Sequence, residues 1–215
     1  MEINEETTYK AWKEALRHIV SQGKTFTDHE NRKCREILNL FLTITSPKED
    51  ILIPIETLTK FDRWVYPSIE ELSNIIFTKK KIATIHYTYG SRIFNFQDKI
   101  NQINEFIIPL LKADPNSRRA VIMLYDPVTD SKTFNKEIPS LLFIYFKIQE
   151  KKLQLIGFIR SNDFFIGWPT NIYQLYKLQE LVAQELGIEQ GSLTTISNSA
   201  HIFEEYIELI NEVLR

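Results

Sequence analysis

Hydrophobic residues recur along this chain with two different periods, and their succession predicts its elements. Trp12, Ala15, Leu16, Ile19 and Val20 fall at helical spacing, so residues 5–22 are expected to form an amphipathic helix stopped by Gly23. The polar stretch from Lys24 to Lys33 reads as a loop. Glu36 to Thr45 (EILNLFLTIT) reads as a buried strand ended by Pro47. Residues 48–66 carry no legible period. Ser68 and Glu71 have the spacing of a capping box, and the helix they open places Leu72, Ile75 and Ile76 on one face. Asp98 to Ala113 is a second amphipathic helix, kinked at Pro109. Asp114 to Ser117 is a turn, and Arg119 to Tyr125 a strand.

Strand-forming residues fill Leu141–Ile148 and Leu153–Arg160 on either side of Gln149–Lys152, which predicts a hairpin with a long turn. Pro169 and Thr170 lead into a helix carrying Ile172, Leu175, Leu178, Val182 and Leu186, stopped by Gly187. Leu193–Ser197 is a short strand, and Ala200–Leu214 a terminal helix. Helices and strands intermix without regular alternation, which predicts an α+β or mixed-sheet fold. No repeat or Gly/Ser-rich linker divides the 215 residues, so a single domain over 1–215 is expected.

Composition refines this picture by exclusion. With 43% hydrophobic and 25% charged residues the chain is globular rather than disordered. Its 26 Lys+Arg against 28 Asp+Glu argue against a dedicated nucleic-acid binder, which needs a basic surface. The one cysteine, Cys34, excludes an internal disulfide and a cysteine-rich zinc cluster. His18, His29, His86 and His201 lack metal-ligand spacing, so no metal site is expected. The longest charge-free apolar run, Ile138 to Phe146, is about half of what a membrane-spanning helix needs. The acidic N-terminal residues do not resemble a signal peptide. A soluble cytoplasmic protein, without membrane or nucleic-acid partners, is expected.

The densest polar cluster in apolar surroundings is Arg160-Ser161-Asn162-Asp163, followed by Gly167, Pro169 and Asn171. An arginine supplies a planar fork of donors and a serine a hydroxyl, a pair suited to a phosphate or another polar ligand. A capped helix beside a surface arginine is the alternative. Arg118-Arg119 on its turn suits an anion clamp or a solvated turn equally. Tyr87, Tyr89, Gly90 and Arg92 form a compact aromatic–glycine–arginine group. His201, after Ser197-Asn198-Ser199, stands where the terminal helix is expected to open.

These segments together resemble the thymidylate synthases and related pyrimidine hydroxymethylases. Residues 160–172 are similar to the family's Arg-Ser-x-Asp, then Gly-x-Pro-x-Asn-Ile signature. Tyr89-Gly90 resembles its Tyr-Gly motif, Asp114 to Arg119 its Asp-Pro-x-Ser-Arg-Arg motif, and His201-Ile202-Phe203 its His-x-Tyr motif. Arg32 to Ile37 is similar to the short archaeal and hydroxymethylase branches. The resemblance covers roughly residues 30–45 and 85–210.

The resemblance implies a fold and a set of roles. The fold is an α+β sandwich of a mixed sheet packed by helices, paired into a homodimer through the sheets. The ligand is a pyrimidine nucleoside monophosphate. Arg160, Ser161 and Arg32 hold its phosphate, and Arg118 and Arg119 reach the phosphate of the neighbouring subunit. Asp163 orders the base pocket, and Asn171 pairs with the base edge, in a manner that favours uracil. His201 holds the sugar hydroxyl, and Tyr89 sits near the nucleophile. The family's attacking cysteine follows a proline ahead of a strand, and the matching stretch is Ile138-Pro139-Ser140-Leu141, which puts Ser140 at that position. A displaced nucleophile at Cys34 is the minor alternative. Phe203 replaces the family's tyrosine. The catalytic glutamate falls nearest Glu70 and Glu71, one of which the capping box claims. Methylene-tetrahydrofolate is the one-carbon donor implied, although no residue pattern here indicates a cofactor by itself. The implied function is a one-carbon transfer to the 5-position or a related modification. A nucleotide-binding homologue without catalysis, and a structural partner that kept only the dimer, are the other expectations.

Overall fold

The computed structural model describes residues 1–63, 66–79, 87–132 and 138–215. Trp64, Val65 and His86 lie outside the described residues. Seven strands and eight α-helices occur among the described residues, the α+β architecture expected. The strands are β1 (Glu2–Glu5), β2 (Lys24–Thr27), β3 (Lys33–Ile44), β4 (Val121–Met123), β5 (Leu141–Gln149), β6 (Lys152–Asp163) and β7 (Glu189–Phe203). The helices are α1 (Thr8–Gln22), α2 (Ile53–Leu58), α3 (Ile69–Phe77), α4 (Tyr89–Phe94), α5 (Ile108–Ala113), α6 (Pro127–Asp130), α7 (Gly167–Leu186) and α8 (Ile207–Leu214). The strand order is β1-β3-β7-β6-β5-β4. Along one edge of β3, β1 runs parallel to Phe41–Ile44 and β2 antiparallel to Lys33–Glu36. The mixture of parallel and antiparallel neighbours is what makes the sheet mixed.

The chain divides into two compact units. The first comprises Met1–Tyr66, Ile159–Tyr176 and Ser192–Arg215; the second comprises Pro67–Phe158 and Lys177–Gly191.

In the first unit, α1 buries Ala11, Trp12, Ala15, Leu16 and Ile19, the stripe its spacing predicted. Trp12 satisfies its indole N–H on the Phe164 carbonyl at 2.6 Å and stacks on Phe165, 6.1 Å between centroids. The helix starts at Thr8, not at residue 5, because Glu2–Glu5 pairs with β3 as a strand. Its N-cap Thr7 makes no side-chain bond. The Asp50 carboxylate instead accepts from the Thr8 and Tyr9 N–H groups at 2.6 and 2.8 Å, which satisfies two orphan donors and places a negative charge at the positive end of the helix.

The alternation of buried and exposed residues slips at one level in three neighbouring strands. In β3 the slip falls at Asn39, which has φ +56°. In β7 it falls at Asn198 and Ser199, and in β6 at Arg160 and Ser161. Strands β3 and β7 slip together, so Leu38↔Ser199 and Leu40↔Ser197 stay in register, and the Asn198 amide bonds to Asn39 at 3.2 Å. Asparagine is among the few non-glycine residues that accept this backbone state. The slip carries two successive side chains, Arg160 and Ser161, off the buried row.

In the second unit, the capping box is present as predicted: Ser68 Oγ accepts from Glu71 N–H, and Glu71 accepts from Ser68 N–H at 2.8 Å. Thr88 and Ser91 form a second box at the start of α4. Gly90 lies against the C-terminal carbonyls of α3: a Cβ there would stand 2.5 Å from the Thr78 oxygen and 2.7 Å from that of Ile76, so only glycine fits. The helix expected from Asp98 begins later. Asn101 caps a π-helical turn, Gln102–Ile107, and Pro109 sits in the first turn of α5, where its missing N–H costs nothing. The β5–β6 turn is two residues long rather than four, with Glu150 and Lys151 at φ +52° and +62°, the backbone of a type I′ hairpin.

Arg92 of α4 is buried between two carboxylates. Its Nη2 donates to Asp130 Oδ1 at 2.7 Å, and its Nη1 lies 3.8 Å from Asp126 Oδ2. Asp130 is 0% exposed. Arg92→Leu is therefore expected to strand two buried carboxylates and to lower stability by about 3–5 kcal/mol. Chemical denaturation, with an unchanged midpoint as the contrary result, checks this.

The C-terminal expectation is corrected. Ala200–Leu214 is not one helix. Strand β7 continues through Phe203, a 3₁₀ turn covers Glu204–Tyr206, and the helix is only Ile207–Leu214. The ten residue pairs that β7 makes with β3 explain the extension. Position 200 onward has helical propensity, but sheet pairing and burial of Ala200 and Ile202 override it.

Candidate functional site

The predicted residues fall into two groups, one in each unit. In the first unit they come from the end of β6, the turn into α7, the end of β7 and the start of β3.

Arg160 is exposed on β6, Ser161 is half-buried beside it, and Asn162 is buried. Strand β6 runs on through Asp163, so the cluster belongs to the strand itself rather than to a loop beyond it. The Asp163 Oδ1 accepts from the Phe165 and Ile166 N–H groups at 2.9 and 3.3 Å, which closes the turn into α7 as an Asx motif. Part of Asp163 is reached by solvent, but the protein packed around its carboxyl raises the pKa above the ordinary carboxylate range. The charges of His201 and Arg32 and the two N–H donors pull it back only in part. An acid whose pKa is raised on folding holds more protons in the native than in the unfolded state. Its contribution to stability is therefore lost as pH rises from its unfolded value of about 3.9 through its folded value. Asp163→Asn should remove that loss, so the melting temperature of the variant gains on wild type as pH rises above 4. Parallel melting profiles from pH 4 to 7 are the contrary result.

Asn171, in the first turn of α7, donates from Nδ2 to Asn162 Oδ1 at 3.2 Å, and Asn162 donates from Nδ2 to Ser197 Oγ of β7 at 3.0 Å. His201 is in β7, opposite Glu36 of β3, and not at a helix start. Its Nδ1 lies 3.5 Å from Ser199 Oγ, and its ring meets Phe203 edge-on at 5.3 Å. The Arg32 guanidinium lies 3.3 Å over the Phe203 ring and is paired with Glu205 at 2.5 Å. Burial works against the Arg32 charge, but Glu205, Tyr206 and Asp163 outweigh it and hold its pKa above the ordinary value. Arg32, Asp163 and His201 thus share one electrostatic neighbourhood.

Cys34 faces Phe203 across the β3–β7 ladder and is 1% exposed. Burial, reinforced by Asp28, pushes its thiol pKa up. A protonated, enclosed thiol is a packing group and a poor nucleophile. Tyr66, in the stretch that carried no legible period, donates to the Ile166 carbonyl at 2.8 Å and bonds Thr170. Its phenol is pushed up to about 12 by burial, so it braces the turn and does not exchange protons at neutral pH.

In the second unit, Ser140 is half-buried one residue ahead of β5. The next N–H, of Leu141, donates to the Tyr89 hydroxyl at 3.4 Å, so Tyr89 stands beside Ser140. Among the described residues, no base is hydrogen-bonded to the Ser140 hydroxyl. Arg118 and Arg119 are exposed at the start of β4, after a turn closed by Ser117 N–H on the Asp114 carbonyl at 3.0 Å. Glu71 is occupied by its capping box, and Ser68 lowers its pKa. No group of three His, Cys, Asp or Glu residues that could hold a metal ion occurs among the described residues. No helix there is long and apolar enough to cross a membrane.

Sequence reasoning named Asn162 and Ser197 without giving either a role, and missed Tyr66 and Glu205. Asn162 fills the open position of Arg-Ser-x-Asp, and only the slip in strand alternation turns it inward. Ser197 is the last of three alternate buried positions after Leu193 and Thr195, a signal present in the sequence but apolar only at its first member.

This strand–turn–helix arrangement stands on a mixed α+β sheet. The thymidylate synthase family model matches residues 55–215. A Methanosarcina mazei protein named "Putative thymidylate synthase" is 33% identical over 205 residues, covering 95% of this chain and 90% of that protein. A protein of the same name from Methanothermobacter thermautotrophicus is 30% identical over 224 residues, covering 100% and 98%. The deoxyuridylate hydroxymethyltransferase of Bacillus phage SP01 is 35% identical over 123 residues, covering 56% of this chain and 31% of the phage protein. The chain belongs to the thymidylate synthase family.

Proposed function

We propose that the protein binds a pyrimidine nucleoside monophosphate of the uracil type and carries out a divergent one-carbon transfer, or a related modification, at the 5-position of the base. The observation that carries this is the β6–α7 passage. In it Arg160 and Ser161, donors suited to a phosphate, lie eleven and ten residues ahead of Asn171, and Asn171 is hydrogen-bonded to the same strand. The names of the archaeal and phage relatives support the reading.

The roles follow the chemistry of each group. Arg160, Ser161 and Arg32 hold the phosphate; for Arg32 this means exchanging its Glu205 partner for the ligand. Asn171 reads the base with an amide that both donates and accepts, and Asp163 orders the turn before it. His201 takes the sugar hydroxyl, without the second hydroxyl that a tyrosine at Phe203 would add. Tyr89 serves the Ser140 position, and methylene-tetrahydrofolate is the matching one-carbon donor. The protein works as a single functional domain in the cytoplasm and as a homodimer through the open face of its sheet. In the first unit Phe41 is 45% exposed, and in the second Val121 and Met123 are exposed as well. Arg118 and Arg119 then serve the partner's nucleotide. A second reading, nucleotide binding without turnover, is favoured by Ser140, whose hydroxyl has no hydrogen-bonded base among the described residues.

Thermal unfolding with a panel of nucleoside monophosphates tests the reading. A uracil nucleotide at a hundred times its dissociation constant should add about 2.7 kcal/mol, and no shift with any pyrimidine nucleotide overturns it. For the dimer, a solution mass of one chain, 25.4 kDa, is the contrary result.

A further inference from the structure

Phe203 touches two side chains proposed to meet the ligand, Arg32 at the phosphate and His201 at the sugar. The β3–β7 ladder pairs Phe203 with Cys34 and His201 with Glu36. Alternate residues of a strand share one face, so Phe203 and His201 stand on the same side of β7. Arg32, two residues ahead of Cys34, reaches Phe203 diagonally across the ladder. Its guanidinium carbon lies 3.3 Å from the centre of the Phe203 ring, and the His201 ring meets that ring at 5.3 Å and 85°. Phe203 is half-buried, and the Arg32 side chain remains 32% exposed.

At 3.3 Å the guanidinium plane has to lie nearly parallel to the ring, because a tilted fork would drive a nitrogen into it. One face of the guanidinium is therefore taken by the ring, and its N–H groups point outward in the plane. Nη2 meets Glu205. Among the described residues, Nε and Nη1 carry no hydrogen bond. A phosphate can be met along that edge, or at Nη2 once Glu205 yields, without unstacking the arginine. Fixing a long arginine chain on a ligand costs conformational entropy, and a chain already held by a ring loses less of it on binding.

We infer that Phe203 is a positioning residue: its ring seats the Arg32 guanidinium beside His201 and presents the donor edge to the nucleotide phosphate. The inference rests on the proposed role of Arg32 at that phosphate.

Calorimetric titration of the full chain with deoxyuridylate, for wild type, Arg32→Ala, Phe203→Leu and the double variant, tests it. Leucine keeps an apolar side chain and removes the aromatic face. Phe203→Leu should weaken binding about fivefold, the scale of one cation–π contact. In the Arg32→Ala background the same change should cost nothing further, since no guanidinium is left to seat. Phe203→Tyr keeps the ring and should bind at least as tightly as wild type. A ring needed only for packing predicts the same loss in both backgrounds. That result, or wild-type affinity in Phe203→Leu, overturns the positioning role. Phe203→Met, a flexible apolar chain without a ring, carries the same expectation should Phe203→Leu not fold. Arg32→Ala separates the two claims. If it weakens binding while Phe203→Leu acts equally with and without Arg32, the positioning role is wrong and the phosphate reading of Arg32 stands. If Arg32→Ala binds as wild type does, both fall.

Discussion

Replacing Ser140 by cysteine is expected to give the protein covalent capture of a 5-fluoro pyrimidine nucleotide, visible as a mass increase in the intact chain. Ser140 stands directly ahead of β5, beside the Tyr89 hydroxyl that accepts from Leu141 N–H. In the proposed chemistry the nucleophile forms a bond to the 6-position of the base, and the electron pair displaced from the ring double bond activates the 5-position for the one-carbon unit. A thiol of ordinary pKa, about 8.5, is already a few per cent thiolate at neutral pH, whereas a serine hydroxyl supplies essentially no alkoxide without a base. Among the described residues, no base is bonded to Ser140. Wild type should accordingly show little or no thymidylate synthase turnover. If Ser140→Cys binds nucleotide yet captures nothing, nucleotide binding without catalysis becomes the better account. Wild-type turnover of deoxyuridylate with methylene-tetrahydrofolate at an ordinary enzymatic rate of about 1–10 per second would show that Ser140 is not the position that matters.

Arg160→Ala should weaken binding of a nucleoside monophosphate by at least about 2 kcal/mol, or about 30-fold. The arginine fork offers a phosphate two parallel charge-assisted bonds, and alanine offers none. The melting temperature of the ligand-free variant, measured alongside, separates a loss of binding from a loss of stability. Unchanged affinity by calorimetry removes Arg160 from the site.

What the sequence revealed of fold and site depended on whether a feature was local. Helix α1, the Ser68–Glu71 box and the Gly187 stop, at φ +68°, depend on neighbours within one or two turns, and periodicity predicted all three. Strands β1 and β2 (EINE and KTFT) are short and polar; they exist because β3 pairs with both, a relation absent from their own residues. Strand β7 was cut short for the same reason, and His201 with it was assigned to a helix. At the site, Arg160, Ser161, Asp163 and Asn171 were legible because they lie within twelve residues of one another. The Asn162–Ser197 bond joins residues 35 apart, and the Arg32–Glu205 pair joins residues 173 apart; both need the β3–β7–β6 order before they can be seen.

The central claim is a nucleotide site that reads uracil. Calorimetric titration of the wild-type chain with deoxyuridylate, and in parallel with deoxycytidylate, tests it most directly. Saturable binding of one deoxyuridylate per chain, tighter than deoxycytidylate, is the result expected from Arg160, Ser161 and Asn171. No saturable heat with either nucleotide, or equal affinity for both, would contradict it.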